Sequence, residues 1–318
     1  MARILLTGGT SFSGLWIAEA LRAGGHEVTA AVTREPGAYQ GLRAERLSRL
    51  SANSRVVWSA PVASAAFLKV LDEGWDILAL HGADIPNYRS ADYDVVDGFH
   101  RNIAGVEAAL DAFARAGGRA VVATGTVFEA GEGGDRDGLA VSHYGLAKSL
   151  TGEAIRHLAH WRGLSFGKFV VTGPFGPLEE GRMVWSLMQA WFSGEAGVVR
   201  TPRYVRDNIP VTLLAKAYLR LCNQLAEAAG DPIQIVVRPA GFVGSQEMFA
   251  RLVADRMRPR LGLDCAVETW AQPTLAEPLH RANDEPWVTG DWGEGGFWDD
   301  YAAYYRRIAA SGLLDAPA

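Results

Sequence analysis

Short apolar runs alternate with amphipathic stretches through the first half of the chain. The apolar runs are Arg3–Leu6, Glu27–Val32, Arg55–Val57, Ile77–Leu80, Ala120–Ala123 and Phe166–Val171. Several are rich in Val and Ile, as strands buried on both faces require. Between them the pattern predicts helices over Leu15–Ala23, Ala65–Glu73, Asp97–Ala116 and Tyr144–Arg162. In the first, Leu15, Ala18 and Leu21 form an apolar stripe and Gly24-Gly25 stops the helix. Strand and helix in regular order predict an α/β, Rossmann-type, doubly wound parallel sheet with helices on both faces.

The pattern loosens after Gly173, where glycine, proline and tryptophan become frequent. A long helix over Asn208–Leu225 and a strand over Ile233–Arg238 then resume the earlier rhythm. This divides the chain into a dinucleotide-binding part, residues 1–172 and 207–240, and a smaller C-terminal substrate lobe, residues 173–206 and 241–318. Such a lobe, built at the carboxyl ends of the strands, is where a substrate is expected.

The 318 residues are 48% hydrophobic and 21% charged, enough for a sizeable core. The net charge of -5 is interspersed and no Lys/Arg tract occurs, which argues against nucleic acid as a partner. Cys222 and Cys265 stand far apart without metal-ligand spacing, so two reduced thiols and no metal site are expected. The N-terminal apolar run is too short for a signal peptide and no run approaches a membrane span. A cytoplasmic location, with no membrane contact, is expected.

The first strand leads into Thr7-Gly8-Gly9-Thr10-Ser11-Phe12-Ser13-Gly14. A glycine-rich turn before a helix lets backbone N–H groups approach a pyrophosphate at the helix's positive end. Gly8 and Gly14 hold the outer positions of the glycine pattern, with Thr10, Ser11 and Phe12 between them. Ser11 replaces the usual middle glycine; its Cβ crowds the pyrophosphate, although its hydroxyl can donate a hydrogen bond. The plain alternative is a tight turn without a ligand. The second strand ends Val32-Thr33-Arg34-Glu35. A guanidinium suits a 2′-phosphate, so Arg34 favours NADP, with NAD possible if Glu35 holds the ribose instead.

Tyr144 and Lys148 stand at i and i+4, on one helical face. A free tyrosine is a poor base at neutral pH, and a nearby ammonium lowers its pKa. Tyr144 can then serve as general acid or base toward a hydroxyl or ketone oxygen. Twenty positions upstream, the strand Val121-Val122-Ala123-Thr124 delivers a hydroxyl that can orient the reacting oxygen. Thr126 is the alternative, and otherwise a substrate contact.

With these motifs in this order, the chain resembles the extended short-chain dehydrogenase/reductases over nearly its whole length. Leu80-His81-Gly82-Ala83 is similar to the family's "HLAA", Asn102-Ile-Ala-Gly105 to "NvxG", Phe175-Gly176-Pro177 to "YGP", Arg206–Val211 to "RDxxxV" and Arg281–Pro286 to "RxGDP". The resemblance implies that His81 and Lys148 line the cofactor, that Asn102 supports the active site, and that Arg206 and Arg281 hold the phosphates of a nucleotide-diphosphate sugar. The plain reading of either arginine is a surface ion pair, such as Arg206 with Asp207. The family's dehydratases carry Asp-Glu just after the catalytic threonine. Here Gly125-Thr126 stands in that place, so 4,6-dehydration is not expected.

The function implied is an NAD(P)-dependent nucleotide-sugar epimerase or 4-ketoreductase. Its rivals are a small-carbonyl reductase and a non-catalytic NADP-binding sensor. The helices over Asp97–Ala116 and Tyr144–Arg162 resemble those that pair in family dimers, so a homodimer is expected. Trp287, Trp292, Phe297, Trp298, Tyr301, Tyr304 and Tyr305 either dock a last helix or stack a nucleobase. Glu129–Gly138 reads as a loop, mobile over the site or simply solvated.

Overall fold

Strand β1 (Arg3–Thr7) sends Ile4 and Leu6 to one face of a sheet and Leu5 to the other, and all three are wholly buried. A strand covered on both faces belongs in a parallel sheet under two layers of helix. The computed structural model describes residues 1–84, 90–134, 138–179, 181–228, 230–274, 278–286 and 292–315.

Helix α1 (Phe12–Ala23) begins three residues before the predicted start, because Ser11 caps it. β2 (Glu27–Ala31), α2 (Gly41–Asn53), β3 (Arg55–Val57), α3 (Ala65–Leu71) and β4 (Ile77–Leu80) follow. The single helix expected over Asp97–Ala116 is two, α4 (Val95–Ile103) and α5 (Val106–Arg115). Gly105 breaks them with φ of +74°, and a Cβ there would collide with the Ala63 backbone. Next come β5 (Ala120–Thr126), α6 (His143–His160), β6 (Ser165–Val171), β7 (Gly173–Phe175), α7 (Met183–Phe192), β8 (Gly197–Val199) and β9 (Val205–Pro210). Asn208 and Ile209, read as helical, belong to β9, and α8 (Val211–Glu227) starts after Pro210. The rest is β10 (Gln234–Val237), β11 (Pro239–Ala240), β12 (Phe242–Ser245), α9 (Gln246–Leu261), β13 (Val267–Thr269), β14 (His280–Arg281), β15 (Glu285–Pro286) and α10 (Glu294–Ala310).

Seven strands form one sheet in the order β10-β6-β5-β4-β1-β2-β3, every pair parallel. One face buries Leu15, Leu21, Leu214 and Leu221 from α1 and α8; the other buries Phe67, Leu110, Phe113 and Ile155 from α3, α5 and α6. A smaller sheet joins β9 to β7, β12 and β14. The chain order reverses between β1 and β4, which opens a crevice at their carboxyl ends.

The C-terminal aromatics dock a helix. Phe297, Trp298, Tyr301, Tyr304 and Tyr305 are buried in α10, and Phe297 and Trp298 pack against Phe175. Burial removes these rings from any role in stacking a nucleobase; Trp287 lies outside the described residues. Both cysteines are buried free thiols. Among the described residues no helix is long and apolar enough to cross a membrane, and no group of three His, Cys, Asp or Glu side chains can hold a metal.

Candidate active site

The glycine turn sits in the crevice. Gly8 has φ of +72°, and a Cβ there would lie 2.6 Å from the Cα of Gly82. A Cβ on Gly14 would collide with the Gly8 carbonyl. Both glycines are demanded by close backbone approach. Ser11 accepts a hydrogen bond from the Gly14 N–H at 3.0 Å, so a lone pair of its hydroxyl is committed to capping α1. Thr10 and Phe12 are buried. The turn has a support that the sequence did not announce. Arg46 of α2, wholly buried, donates from Nε to the Thr10 carbonyl and from Nη1 to the Leu178 carbonyl, both at 2.9 Å.

At the end of β2, Thr33, Arg34 and Glu35 are exposed. The backbone N–H of Arg34 donates to the Tyr39 hydroxyl at 3.2 Å. The Ser59 hydroxyl donates to the Glu35 carboxylate.

At the centre, β4, β5 and α6 bring His81, Thr124 and Lys148 together. His81 Nδ1 lies 3.0 Å from Thr124 Oγ1, and Lys148 Nζ donates to the Thr124 carbonyl at 2.8 Å. Burial pushes the Lys148 pKa down; Glu129 opposes that shift and Lys168 adds to it. Tyr144 is buried, with its ring edge-on to Tyr93 at 6.0 Å and to Phe128 at 6.1 Å. Gly145 lets α6 press against the Phe128 carbonyl, where a Cβ would not fit. Asn102 pins the loop after β4: its Oδ1 accepts from the Asp84 N–H at 2.8 Å, and its Nδ2 donates to the Asp84 carbonyl at 3.0 Å and the Gly98 carbonyl at 2.8 Å. Thr126, the last residue of β5, is buried and donates its N–H to Glu129 at 2.9 Å. Of the two threonines, Thr124 is the one in contact with His81 and Lys148.

The acidic loop after β5 corrects the sequence reading. Glu129 and Glu132 are not solvated; they are 1% and 3% exposed. Lys168 pairs with Glu129 at 2.7 Å and with Glu132 at 2.9 Å, and Arg238 pairs with Glu132 at 2.6 Å. Gly125 makes room for this cluster, since a Cβ there would meet Glu129 Oε1 at 2.7 Å. Residues 135–137 of that loop lie outside the described residues.

Arg206 on β9 and Arg281 on β14 are register partners in parallel strands. Tyr204, which the sequence reading missed, joins them: Arg206 stacks on its ring, and its hydroxyl accepts from Arg281 Nη2 at 2.9 Å. Arg281 is buried, with its guanidinium over the Phe128 ring at 4.2 Å. Asp207 does not pair with Arg206. Strand alternation turns it away, and its carboxylate accepts from the Gly241 N–H at 2.7 Å. Burial pushes the Asp207 pKa up to about 6.

The sheet order, with a glycine turn at its switch point, defines an α/β protein of the Rossmann type. The profile of the NAD dependent epimerase/dehydratase family matches residues 4–235, and the chain belongs to that family, whose members are enzymes of the extended short-chain dehydrogenase/reductase type. Similar solved structures include a UDP-N-acetylglucosamine 4-epimerase from Methanobrevibacter ruminantium in complex with UDP-N-acetylmuramic acid (18% identity, TM-score 0.73, 98% of this chain and 99% of that one). The UDP-glucuronic acid 4-epimerase of Bacillus cereus, in complex with UDP-glucuronic acid and NAD, is similar at 16% identity and a TM-score of 0.72, over 96% of this chain and 99% of that one. A dTDP-glucose 4,6-dehydratase from Streptomyces venezuelae, with NAD bound, is similar at 18% identity and a TM-score of 0.71, over 98% and 99%. No curated protein sequence matches the chain.

Proposed function

We propose that this protein is an NADP-preferring nucleotide-sugar epimerase or 4-ketoreductase, acting at the sugar 4-position with Tyr144 as general acid/base. The observation that carries this reading is the cluster of His81, Thr124 and Lys148, with Lys148 one turn of α6 from Tyr144 and the His81-Gly82 backbone packed on Gly8 of the glycine turn.

The cradle fits a dinucleotide. Gly8 and Gly14 leave no room for side chains, and the first-turn N–H groups of α1 would be donors for a pyrophosphate. Gly8, Thr10, Ser11, Phe12 and Gly14 would hold it, with His81 and Lys148 alongside. Arg34 would take the 2′-phosphate, a choice supported by the engagement of Glu35 with Ser59. Bound there, the nicotinamide supplies or takes up hydride at the sugar carbon.

Each side chain has a distinct task. Lys148 stands one turn of α6 from Tyr144, where its positive charge would favour the phenolate. Tyr144 takes the proton from a sugar hydroxyl, or returns one to a ketone oxygen. Thr124 hydrogen-bonds that oxygen and orients it, and Thr126 stands two residues on as a substrate contact. Asn102 acts by holding the loop that carries His81 and Asp84. Arg206 and Arg281, joined through Tyr204, take the diphosphate. Dehydration is disfavoured, because Glu129, the nearest carboxylate after Thr124, is held by Lys168 and the Thr126 N–H.

A division at residues 172/173, 206/207 and 240/241 assigns the dinucleotide and the sugar to different parts of the chain. A cytoplasmic homodimer completes the proposal. Val96 on α4 and Leu146 and Leu150 on α6 are exposed apolar side chains on helices that pack together. Sedimentation should give a dimer, and Leu146→Asp with Leu150→Asp should give a monomer.

The reading is tested by following NADPH absorbance with a panel of 4-keto nucleotide sugars and of UDP- and dTDP-sugars, with product analysis. Stoichiometric loss of NADPH makes the protein a ketoreductase. An altered sugar without net loss makes it an epimerase. Neither change, with dinucleotide still bound, overturns the proposal in favour of a sensor or a small-carbonyl reductase.

A further inference from the structure

His81 is held at both ring nitrogens. Its Nε2 lies 3.0 Å from Ser13 Oγ, and its Nδ1 lies 3.0 Å from Thr124 Oγ1. Ser13 belongs to the first turn of α1, directly after the glycine-rich turn, and Thr124 to β5. The Tyr218 ring meets the imidazole edge-on, with centroids 6.2 Å apart, and packs it in place. Burial and the neighbouring Lys148 ammonium keep the imidazole neutral, with its pKa pushed down to about 4.

A neutral imidazole has one donor and one acceptor, so the two bonds are coupled. With the proton on Nδ1, His81 donates to Thr124, whose own hydroxyl hydrogen is then released from the imidazole. Nε2 in turn accepts the hydroxyl hydrogen of Ser13. With the proton on Nε2 the chain runs the other way. Thr124 must then donate to Nδ1 and can offer a substrate only lone pairs. The Thr124 carbonyl is already engaged by Lys148, so the hydroxyl is the side through which this residue meets the imidazole.

We propose that His81 is a positioning residue: held as the Nδ1–H tautomer by Ser13, it makes Thr124 a hydrogen-bond donor toward the reacting oxygen. The inference rests on the reading of Thr124 given above. It extends that reading to a hydrogen-bond chain running from the cofactor turn to the catalytic strand.

Two measurements decide it. Long-range proton–nitrogen NMR on the full chain with labelled histidine reports the tautomer with NADP present and no sugar. The His81 signals are assigned from their loss in His81→Gln. A proton on Nδ1 is expected; a proton on Nε2, or a doubly protonated ring, overturns the proposal. The kinetic comparison uses shape. An Asn amide nitrogen can stand where Nδ1 does, whereas a Gln amide reaches the position of Nε2. His81→Asn should keep most of kcat, while His81→Gln should lose about 10²-fold, as expected of a misplaced orienting group, both read at saturating NADPH. Equal losses in the two variants overturn the proposal. The spectrum decides even for a protein that turns over none of the sugars tried, so failure of the functional reading is told apart from failure of this one.

Discussion

The guanidinium of Arg281 lies 4.2 Å from the centre of the Phe128 ring, and the same ring meets Tyr144 edge-to-face at 6.1 Å. Phe128 therefore stands between the group assigned to a diphosphate and the group assigned to the chemistry. Its face attracts the cation and its bulk sets the spacing. Phe128→Leu keeps an apolar side chain but removes the ring face. Loss of about 1 kcal/mol of cation–π attraction predicts a KM for the nucleotide sugar several-fold higher. The Kd for NADPH should not change. A variant with unaltered KM would detach Arg281 from the phosphate role.

On the proposed reading, cofactor choice rests with two neighbours at the end of β2. Arg34 is exposed and Glu35 is held by Ser59. A charge-assisted bond to a 2′-phosphate is worth about 1.5–3 kcal/mol. Arg34→Ser should accordingly raise the Kd for NADPH by roughly ten- to hundredfold and leave NADH binding nearly unchanged. Nicotinamide fluorescence titration measures both. The opposite pattern, with NADH weakened by Glu35→Gln and NADPH indifferent to Arg34→Ser, would make this an NAD enzyme.

Much of this architecture was legible because it obeys local rules. The β1, β3 and β4 runs, the Gly8/Gly14 turn and the Tyr144/Lys148 spacing are short-range patterns, and a parallel sheet follows from the alternation of strands and helices. What escaped depends on contacts distant in sequence. Arg46 looks like a surface arginine on a polar helix, yet the carbonyls it binds come from Thr10 and Leu178. Glu129 and Glu132 look solvated because their partners, Lys168 and Arg238, arrive much later in the chain. Helix α9 carries a stripe of Phe249, Val253 and Met257 that was there to be read, but Arg256, Arg258, Pro259 and Arg260 obscure it. The break at Gly105 needed knowledge of Ala63, which no spacing rule supplies.

Arg46 also yields a test. Its guanidinium reaches carbonyls on two segments, Thr10 in the cofactor turn and Leu178 after β7. A lysine keeps the charge but lacks the planar fork that spans both. Arg46→Lys should leave at least one buried carbonyl without its donor, lowering stability by about 1–3 kcal/mol. Because the loosened segment is the turn itself, dinucleotide affinity should fall by about tenfold. Denaturant unfolding and NADPH titration measure the two effects. Loss of stability with full affinity would limit Arg46 to a structural role.

Glu179 predicts how stability depends on pH. It is wholly buried, and its carboxylate accepts from the Tyr305 hydroxyl at 2.7 Å and from the Tyr301 hydroxyl. Burial pushes its pKa up from 4.5 to about 7, against the opposing pull of those hydroxyls and Arg182. The folded protein therefore holds a proton that the unfolded chain has released between those two values. Stability from this group is fully present below pH 4.5 and is lost as pH rises through about 7. The full effect is about 3 kcal/mol, since each pKa unit is worth about 1.4 kcal/mol. Asp207, raised to about 6 by burial, acts in the same direction and remains in the variant. Glu179→Gln mimics the protonated acid and keeps an acceptor for the tyrosines. It should match the wild type near pH 5 and exceed its stability near pH 8, so that the fall between them becomes shallower. Urea unfolding at the two pH values measures this. A variant less stable than wild type at both would mean that the carboxylate stays ionised inside the fold, paired well enough by Tyr301, Tyr305 and Arg182 to outweigh its burial.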